Sequence, residues 1–348
     1  MNNNNYTQCL NLFSIKNKDI YFLENYMRIY ESDNENKMNF YFFEQQNNIA
    51  LYPFFKNMIP EIYNNYNQNF YDIQSAYGYC GILTNSYEPS FINDFYKSFE
   101  KYCIQNNIIA EFTRFNPLLQ NHQFSKNHLT VIFDRETVAL ELNQSYDNIW
   151  LNEYSSKNRN MIRKAQKLGF SSKIISNPSK EDIDKFISIY YHSMEKVGAE
   201  KYYFFDNNYF YNIFGDLKEN SYLFFIIDNE NQVVCSSIFF HYGDYFHYHL
   251  SGRSEKADNS VNSFLLDEAV KFAKSKGAIT FHFGGGRTAD SDDSLLKFKT
   301  SFSKTRLSFY IGKKIHNTEV YTNIVKQWEK LFPEKIEKFK NHILKYRY

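Results

Sequence analysis

The order strand, strand, helix, strand occurs twice along this sequence, once in each half, and it constrains the fold more than any other feature. In the first half, apolar spacing predicts a hairpin, a helix and a further strand at residues 39–44, 49–55, 90–106 and 108–115. The second half predicts the same kinds of element at residues 222–228, 233–241, 261–276 and 278–283. This order predicts an α/β fold with one mixed central sheet in each half.

The length of 348 residues suits two domains of about 150 residues each. We place the boundary between a predicted pair of strands over 131–142 and a predicted helix over 154–168. The expected organisation is a first domain, a second domain and a C-terminal segment, at residues 1–145, 146–315 and 316–348.

Charge and composition exclude several classes of protein. A net charge of +1 argues against wrapping DNA, so any nucleic-acid contact should be local, such as the acceptor end of a tRNA. The start of the chain lacks the apolar core of a signal peptide, and no apolar run reaches the ~18 residues of a membrane span. We therefore expect a cytoplasmic protein that can reach a membrane-borne substrate from the inner face.

The cysteines predict neither a zinc site nor a disulfide framework. The sequence has four, with no CxxC spacing and no close pair: Cys9, Cys80, Cys103 and Cys235. His247 and His249 are two positions apart on a predicted strand, so both side chains point to one face. No third metal ligand lies nearby in the sequence. We therefore predict no metal site, and we take these histidines as pocket lining or, for His249, as a candidate for proton removal.

A basic helix without acidic residues is the first candidate site. Residues 155–173 contain six basic side chains and no Asp or Glu. Arg159 and Arg163 are four positions apart and share a helical face, next to Lys164. This pattern predicts a site for phosphate or pyrophosphate, because arginine donates bidentate hydrogen bonds to such anions. The alternative is an ordinary solvated helix face.

Three consecutive glycines form the second candidate site. Gly284, Gly285 and Gly286 follow a predicted buried strand, where they would let the backbone turn sharply and approach a ligand. No GK[ST] follows, so this is not a P-loop. Residues 297–314 again contain six basic side chains and no acid. The alternative is a flexible loop before a helix.

A tyrosine- and glycine-rich segment over 75–83 is the third candidate. Tyr77 and Tyr79 would form a wall of an acceptor pocket, or simply pack in a turn at the end of a strand. The sequence has no GxSxG nucleophile elbow and no convincing Cys–His pairing. This favours direct transfer between two bound substrates, in which positioning and charge stabilisation lower the barrier.

The motifs resemble the Fem-type, BioF2-like transferases, a family with tandem acetyltransferase (GNAT) folds. The resemblance spans roughly residues 40–315 and is more specific in the second half. It is carried by the basic helix from Arg159 to Gly169, the helix ending at Gly277, the strand into Gly284–Gly286, the Leu296-x-Phe298-Lys299-x-x-Phe302 motif and Tyr77-Gly78-Tyr79-x-Gly81.

The resemblance implies two GNAT-like domains with mixed sheets, and a C-terminal helix, predicted over 320–339 with an interruption at Pro333, that returns to the first domain. It also implies acyl or aminoacyl transfer onto an amine of a phosphate-bearing sugar or peptidoglycan precursor. Phe298 and Lys299 match the functionally important Phe-Lys pair of the cell-wall members, and Arg159 and Arg163 match arginines that meet the precursor's phosphates.

Two departures from the family affect the donor and the substrate. The CoA fingerprint [QR]-x-x-G-x-[GA] is absent from residues 253–262, and no charged heptad segment forms a helical-hairpin arm. We therefore expect no permanently bound cofactor, and acyl-CoA or aminoacyl-tRNA as co-substrate.

In this hypothesis Lys299 stabilises the developing oxyanion, and Tyr77, Tyr79 and Tyr248 line the acceptor cleft. His249 would remove the proton. The alternative is a non-catalytic module that binds a nucleotide sugar or RNA.

Overall fold

The computed structural model describes residues 5–31, 36–63, 66–255 and 257–348, apart from the side chain of Tyr202. These residues form twelve strands: β1 (Lys37–Gln45), β2 (Asn48–Met58), β3 (Tyr71–Gln74), β4 (Leu83–Thr84), β5 (Ile108–Arg114), β6 (Thr130–Glu141), β7 (Ser171–Ile175), β8 (Ser221–Ile227), β9 (Val233–Tyr242), β10 (Tyr245–Arg253), β11 (Thr280–Gly285) and β12 (Arg306–Ile315).

The same residues form eleven α-helices: α1 (Tyr6–Asn11), α2 (Glu24–Arg28), α3 (Pro89–Gln105), α4 (Tyr146–Asn148), α5 (Ser156–Lys167), α6 (Lys180–Lys196), α7 (Asn207–Asp216), α8 (Val261–Ser275), α9 (Ser294–Lys299), α10 (Thr318–Leu331) and α11 (Ile336–Phe339). A π-helical turn, Ile149–Glu153, lies between α4 and α5. None of the described helices is long and apolar enough to cross a membrane.

The chain divides into two compact units. Unit 1 comprises Met1–Asp134 and Phe309–Tyr348, and unit 2 comprises Arg135–Ser308. The chain passes from one unit to the other inside β6 and again inside β12. We expected these divisions after residues 145 and 315.

In unit 1, five strands lie side by side in the order β1, β2, β3, β5, β12, and β4 pairs with β2. The pair β3–β5 is parallel and the other neighbours are antiparallel. Helix α3 packs against this sheet through Phe91, Phe95 and Phe99, which recur every four residues and are buried. The Phe99 ring lies 5.2 Å from that of Tyr52 on β2.

The C-terminal helix α10 packs on the first domain, as the resemblance implied. The Asn317 side chain accepts a hydrogen bond from the Val320 N–H at 3.1 Å and so caps the start of this helix. Val320, Ile324 and Trp328 recur every four residues and are buried in one cluster with Ile59, Tyr63, Phe70, Ile109 and Ala110.

In unit 2, six strands lie in the order β7, β8, β9, β10, β11, β6. The pair β10–β11 is parallel and the others are antiparallel. Helix α8 buries Leu265, Leu266, Ala269 and Val270 completely in the core of this unit. Each unit thus has a mixed sheet covered by helices, which confirms the predicted fold class.

The parallel strands β10 and β11 pair over only a short stretch, from Tyr245 to His247 on one strand and from Thr280 to His282 on the other. Where this pairing ends, both strands are irregular. β10 has a register shift against β9 between Tyr248 and Leu250, and β11 has one against β6 between His282 and Gly284. Bulges of this kind redirect side chains, and they often lie next to active sites.

Three predictions about local structure were wrong. Residues 131–142 were expected to form two strands, but residues 131–141 lie in the single strand β6, because no Gly or Pro interrupts them. The strand predicted to end at Phe283 continues as β11 through Gly285, because the unit 2 strand β6 pairs with both Gly284 and Gly285. Residues 71–74 end a stretch rich in Tyr and Asn, a composition that predicts a loop, but they form β3 between β2 and β5.

The packing of α10 predicts a large loss of stability for Trp328→Ala. Removing this fully buried ring leaves a cavity in unit 1, which typically costs about 3–5 kcal/mol in the free energy of unfolding. Urea unfolding followed by far-UV circular dichroism measures the change. Leu331→Ala, on the same helix but 49% exposed, should change the stability little. Equal losses in both variants would contradict the burial of α10.

Candidate active site

Lys299 ends helix α9 and lies almost fully buried beside the point where β10 and β11 part. Its Nζ donates a hydrogen bond to the Gly285 carbonyl at 2.7 Å and sits 5.5 Å from the centre of the Tyr248 ring. The side chain before it, Phe298, packs edge-on against Phe302 at 5.5 Å in the core of unit 2. A buried amine and a tyrosine ring therefore face each other at this site.

Burial lowers the pKa of the Lys299 amine to about 7, against the opposing attraction of the Asp293 carboxylate. Lysine in water titrates near 10.4, so this is a large departure. The Lys299 amine can therefore gain or lose a proton at neutral pH. Amines with such pKa values are typical of sites that stabilise charge or transfer protons.

Asp293 fixes the position of α9 and hence of Lys299. One carboxylate oxygen accepts hydrogen bonds from the N–H groups of Leu295 and Leu296, both at 2.9 Å, as an N-cap. The other accepts from the N–H groups of Arg287 and Thr288, both at 3.2 Å. Burial alone would raise the pKa of Asp293, but these donors outweigh it and lower the pKa. Asp293 therefore ties the glycine-rich loop to the helix that bears Lys299.

The three glycines are required by close approaches in this loop. Gly284 has a φ of +76°, and a Cβ there would lie 3.3 Å from the Lys299 Nζ. A Cβ on Gly285 would lie 2.9 Å from the Glu136 carbonyl oxygen, and one on Gly286 would lie 2.6 Å from an Asp293 carboxylate oxygen. The run therefore shapes the site through close packing around Lys299 and Asp293.

The histidines lie beside the same strand ends. His247 and His282 are buried with their rings 5.5 Å apart, and His282 Nε2 is 3.0 Å from the Thr137 hydroxyl. His249 lies at the bulge of β10, with its Nε2 2.7 Å from the Tyr209 hydroxyl. Burial lowers the pKa of His249 to about 3, so this imidazole is neutral at pH 7 and a weak base.

Comparison with known proteins identifies a GNAT domain in this chain. Residues 156–294 match the acetyltransferase (GNAT) domain family. A UDP-N-acetylmuramoylpentapeptide-lysine N(6)-alanyltransferase of Weissella viridescens is 24% identical over 229 residues, which cover 63% of this chain and 67% of that protein.

Solved structures share the fold over most of the chain. The crystal structure of FemX superposes with a TM-score of 0.67 at 14% identity, covering 88% of this chain and 96% of that one. The structure of L-PGS from Bacillus licheniformis has a TM-score of 0.54 at 14% identity, covering 83% and 88%. Residues 156–294 therefore match a GNAT domain, and the chain resembles the Fem-type transferases in sequence and in fold.

Arg159 of the basic helix is bound to backbone carbonyls. Its Nη1 donates to the carbonyl oxygens of Trp150 at 3.1 Å, Leu151 at 3.3 Å and Tyr154. These carbonyls belong to the π-helical turn and the residue after it, so Arg159 caps the end of that turn. Arg163 is exposed and lies over the Trp150 ring at 5.3 Å.

The acidic partner of the basic helix comes from a distant part of the chain. Lys164 forms an ion pair with Asp258, with Nζ and Oδ2 2.6 Å apart. The hydrogen bond from Lys164, together with bonds from Ser260, lowers the pKa of Asp258 to about 2. Asp258 also accepts the Ser260 N–H at 2.9 Å, immediately before helix α8. Residues 253–262, apart from residue 256, thus place a negative charge at the start of α8.

Tyr77 and Tyr79 lie in unit 1, whereas Tyr248 and Lys299 lie in unit 2. The Tyr77 carbonyl accepts a hydrogen bond from the Tyr26 hydroxyl at 2.8 Å. The Tyr79 ring packs edge-on against the rings of Tyr21 at 5.1 Å and Phe309 at 5.3 Å. These contacts fit a packed strand-end turn, and the role of both tyrosines in an acceptor cleft stays a prediction.

Sequence reasoning missed several groups at this site. Asp293 stands directly before a short helix, which is an N-cap pattern that could have found it. No local signal links Thr137 to His282, because the two are 145 positions apart. Tyr209 likewise lies on α7, a helix that was not predicted, 40 positions from His249.

The lowered pKa of Lys299 predicts how its substitution changes stability with pH. Between pH 7 and about 10.4, the unfolded chain binds one proton more than the folded chain at this side chain. The wild type should therefore gain ~1.4 kcal/mol per pH unit relative to Lys299→Met between pH 8 and 10. Below pH 7 the difference should be constant, with the variant the more stable protein.

Urea unfolding of both proteins over this pH range measures the slope. The matched control is Lys297→Met on the same helix, because the Lys297 side chain is 60% exposed. Its stability difference from wild type should not vary with pH in this range. An equally flat difference for Lys299→Met would show that the Lys299 amine has an ordinary pKa.

Proposed function

We propose that this transferase moves an aminoacyl group from an activated ester donor onto an amine of a phosphate-bearing cell-envelope precursor. The observation that carries the proposal is the buried Lys299 amine beside the divergence of β10 and β11. The alanyltransferase relative and the similarity to FemX support the same reaction class.

The reaction needs charge stabilisation and no covalent enzyme intermediate. The acceptor nitrogen attacks the donor's carbonyl carbon, so a C–N bond forms and the carbonyl oxygen becomes an oxyanion. Collapse of this intermediate breaks the C–O bond of the ester, and the departing oxygen takes up the proton that the attacking amine loses. The protonated Lys299 amine stabilises the oxyanion, and its bond to the Gly285 carbonyl holds it in position.

Aminoacyl-tRNA suits this chain better than acyl-CoA as donor. A diphosphate bound at the start of a helix needs backbone N–H groups that have no other acceptor, together with the positive end of the helix dipole. At the start of α8 the Asp258 carboxylate, which is paired with Lys164, already accepts the Ser260 N–H. This N–H is therefore not available to a CoA diphosphate. An aminoacyl ester does not need a diphosphate site at this helix.

The precursor's phosphates would be bound at the exposed part of the basic helix. The Arg159 guanidinium is hydrogen-bonded to the π-helical turn and the residue after it, so we expect it to hold the shape of this surface and not to bind phosphate. Arg163 keeps its guanidinium at the surface against Trp150, and Lys167 is exposed one turn further on. Lys164, paired with Asp258, contributes less net charge than the sequence indicated.

Substituting Lys299 should slow transfer strongly. We expect Lys299→Ala to lower kcat by about 100- to 1,000-fold, because removal of one oxyanion donor costs ~2.7–4 kcal/mol. The protonated amine is the active form, so its contribution to kcat/KM should fall as pH rises through about 7. Lys299→Arg keeps its charge and should lack this fall, although misplacement of the larger group lowers its rate.

The assay is mass spectrometry of a nucleotide-linked cell-wall precursor incubated with the protein and aminoacyl-tRNA. A mass gain of one amino acid is the expected result, and Lys297→Ala on the same helix should behave as wild type. Full single-turnover transfer by Lys299→Ala would overturn the role of this lysine. Precursor binding without transfer from any ester or thioester donor would favour a non-catalytic binding module.

The exposed arginine gives a separate prediction about the acceptor. Arg163→Ala should raise KM for the precursor about 10-fold while kcat stays near wild type, because one charge-assisted hydrogen bond contributes ~1.5–3 kcal/mol. Lys157→Ala, exposed on another face of the same helix, is the matched control. A lower kcat with unchanged KM in Arg163→Ala would contradict a role in binding the precursor.

A further inference from the structure

A second cluster of reactive side chains lies in unit 1, away from the residues of the proposed reaction. Cys103 of α3, Glu111 of β5 and His316, which follows β12, converge so that one ligand atom from each lies within 4.8 Å of the others. The Cys103 and Glu111 residues have no exposed surface, and the His316 side chain is 1% exposed. The cluster is therefore sealed from solvent.

The hydrogen bonds within this cluster do not satisfy all of its buried polar atoms. His316 Nε2 lies 3.1 Å from the Glu111 carboxylate. The second Glu111 oxygen, Oε1, and the second imidazole nitrogen, Nδ1, have no hydrogen-bond partner among the described residues. A buried carboxylate with one imidazole as its partner is costly, because desolvation penalises the charge and one oxygen stays unsatisfied. A cation at this position would offset that cost.

The Cys103 thiol has no exposed surface, so substrates cannot reach it. The Cys–His–Glu set is therefore unsuited to covalent catalysis. A bound divalent cation would stabilise the thiolate form of this side chain.

We propose that Cys103, Glu111 and His316 bind one structural zinc ion. Thiolate, imidazole and carboxylate are the ligand types of Zn²⁺, whereas Ca²⁺ and Mg²⁺ prefer oxygen ligands. Zinc binds such atoms at about 2.0–2.3 Å, so side chains already within 4.8 Å of one another need to move little to reach a common ion. Binding replaces the Cys103 proton, and the three side chains hold the ion.

The position of the three ligands explains what zinc would do. They come from the last turn of α3, from β5 and from the segment between β12 and α10. That segment already bonds to β5, because the His316 N–H donates to the Ile109 carbonyl at 2.7 Å. Zinc would therefore fasten the C-terminal part of unit 1 to its sheet. The free energy of binding would add directly to the stability of unit 1.

The test uses the full chain freed of metal by a chelator and titrated with Zn²⁺ and, as a spectroscopic probe, with Co²⁺. We expect one equivalent to bind, Zn²⁺ to raise Tm, and Co²⁺ to give a thiolate-to-cobalt charge-transfer band. Cys103→Ser should lose the band and the Tm shift. The matched control, Cys80→Ser, removes another fully buried thiol of unit 1 and should keep both.

Three results would overturn the proposal. They are no uptake of either ion by the wild type, a Co²⁺ complex of the wild type without a charge-transfer band, and equal Tm shifts in Cys103→Ser and wild type. The first two need no variant, so they decide the matter even if Cys103→Ser does not fold. Glu111→Gln and His316→Gln should each weaken binding. None of these readouts depends on transferase activity, so a failure here leaves the proposed reaction untouched.

Discussion

The arrangement of unit 2 depends on keeping the Lys299 amine out of water. A lysine at 7% exposure loses most of its hydration, and its replacement partners are the Gly285 carbonyl and the Tyr248 ring. This geometry requires that β11 carry glycine at 284 and 285, because a Cβ would crowd the amine or the neighbouring strand β6. The position of Lys299 also requires the Asp293 N-cap, because this cap determines where α9 begins.

The elements that the sequence predicted well are those that carry their own periodic signal. Helix α3 repeats Phe91, Phe95 and Phe99 every four residues, and helix α8 has a broad apolar face. Phe298 and Lys299 were selected only through the family resemblance, because nothing in their spacing marks a buried amine. The parting of β10 and β11 was not predictable, since it depends on bulges in strands that are paired to β9 and to β6.

The basic helix shows why counting charges along a sequence misjudges a site. The absence of acids over 155–173 suggested uncompensated charge, but Asp258 pairs with Lys164 from 94 positions away. Arg159 is satisfied by carbonyls that become available only because residues 149–153 form a π-helical turn. Spacing assigned these side chains to one face of a helix, and only the contacts with the preceding turn distinguish the anchoring Arg159 from the exposed Arg163.

Sequence spacing also fails to show which side chains meet the cysteines in the fold. Scattered cysteines without CxxC spacing argued against a metal site, yet Glu111 and His316 are 205 positions apart and meet beside Cys103. Burial has opposite consequences for the two clusters. In unit 2 it brings the pKa of Lys299 to about 7 and makes the amine reactive at neutral pH. In unit 1 it leaves Glu111 Oε1 and His316 Nδ1 without hydrogen-bond partners, and the proposed cation would offset that cost.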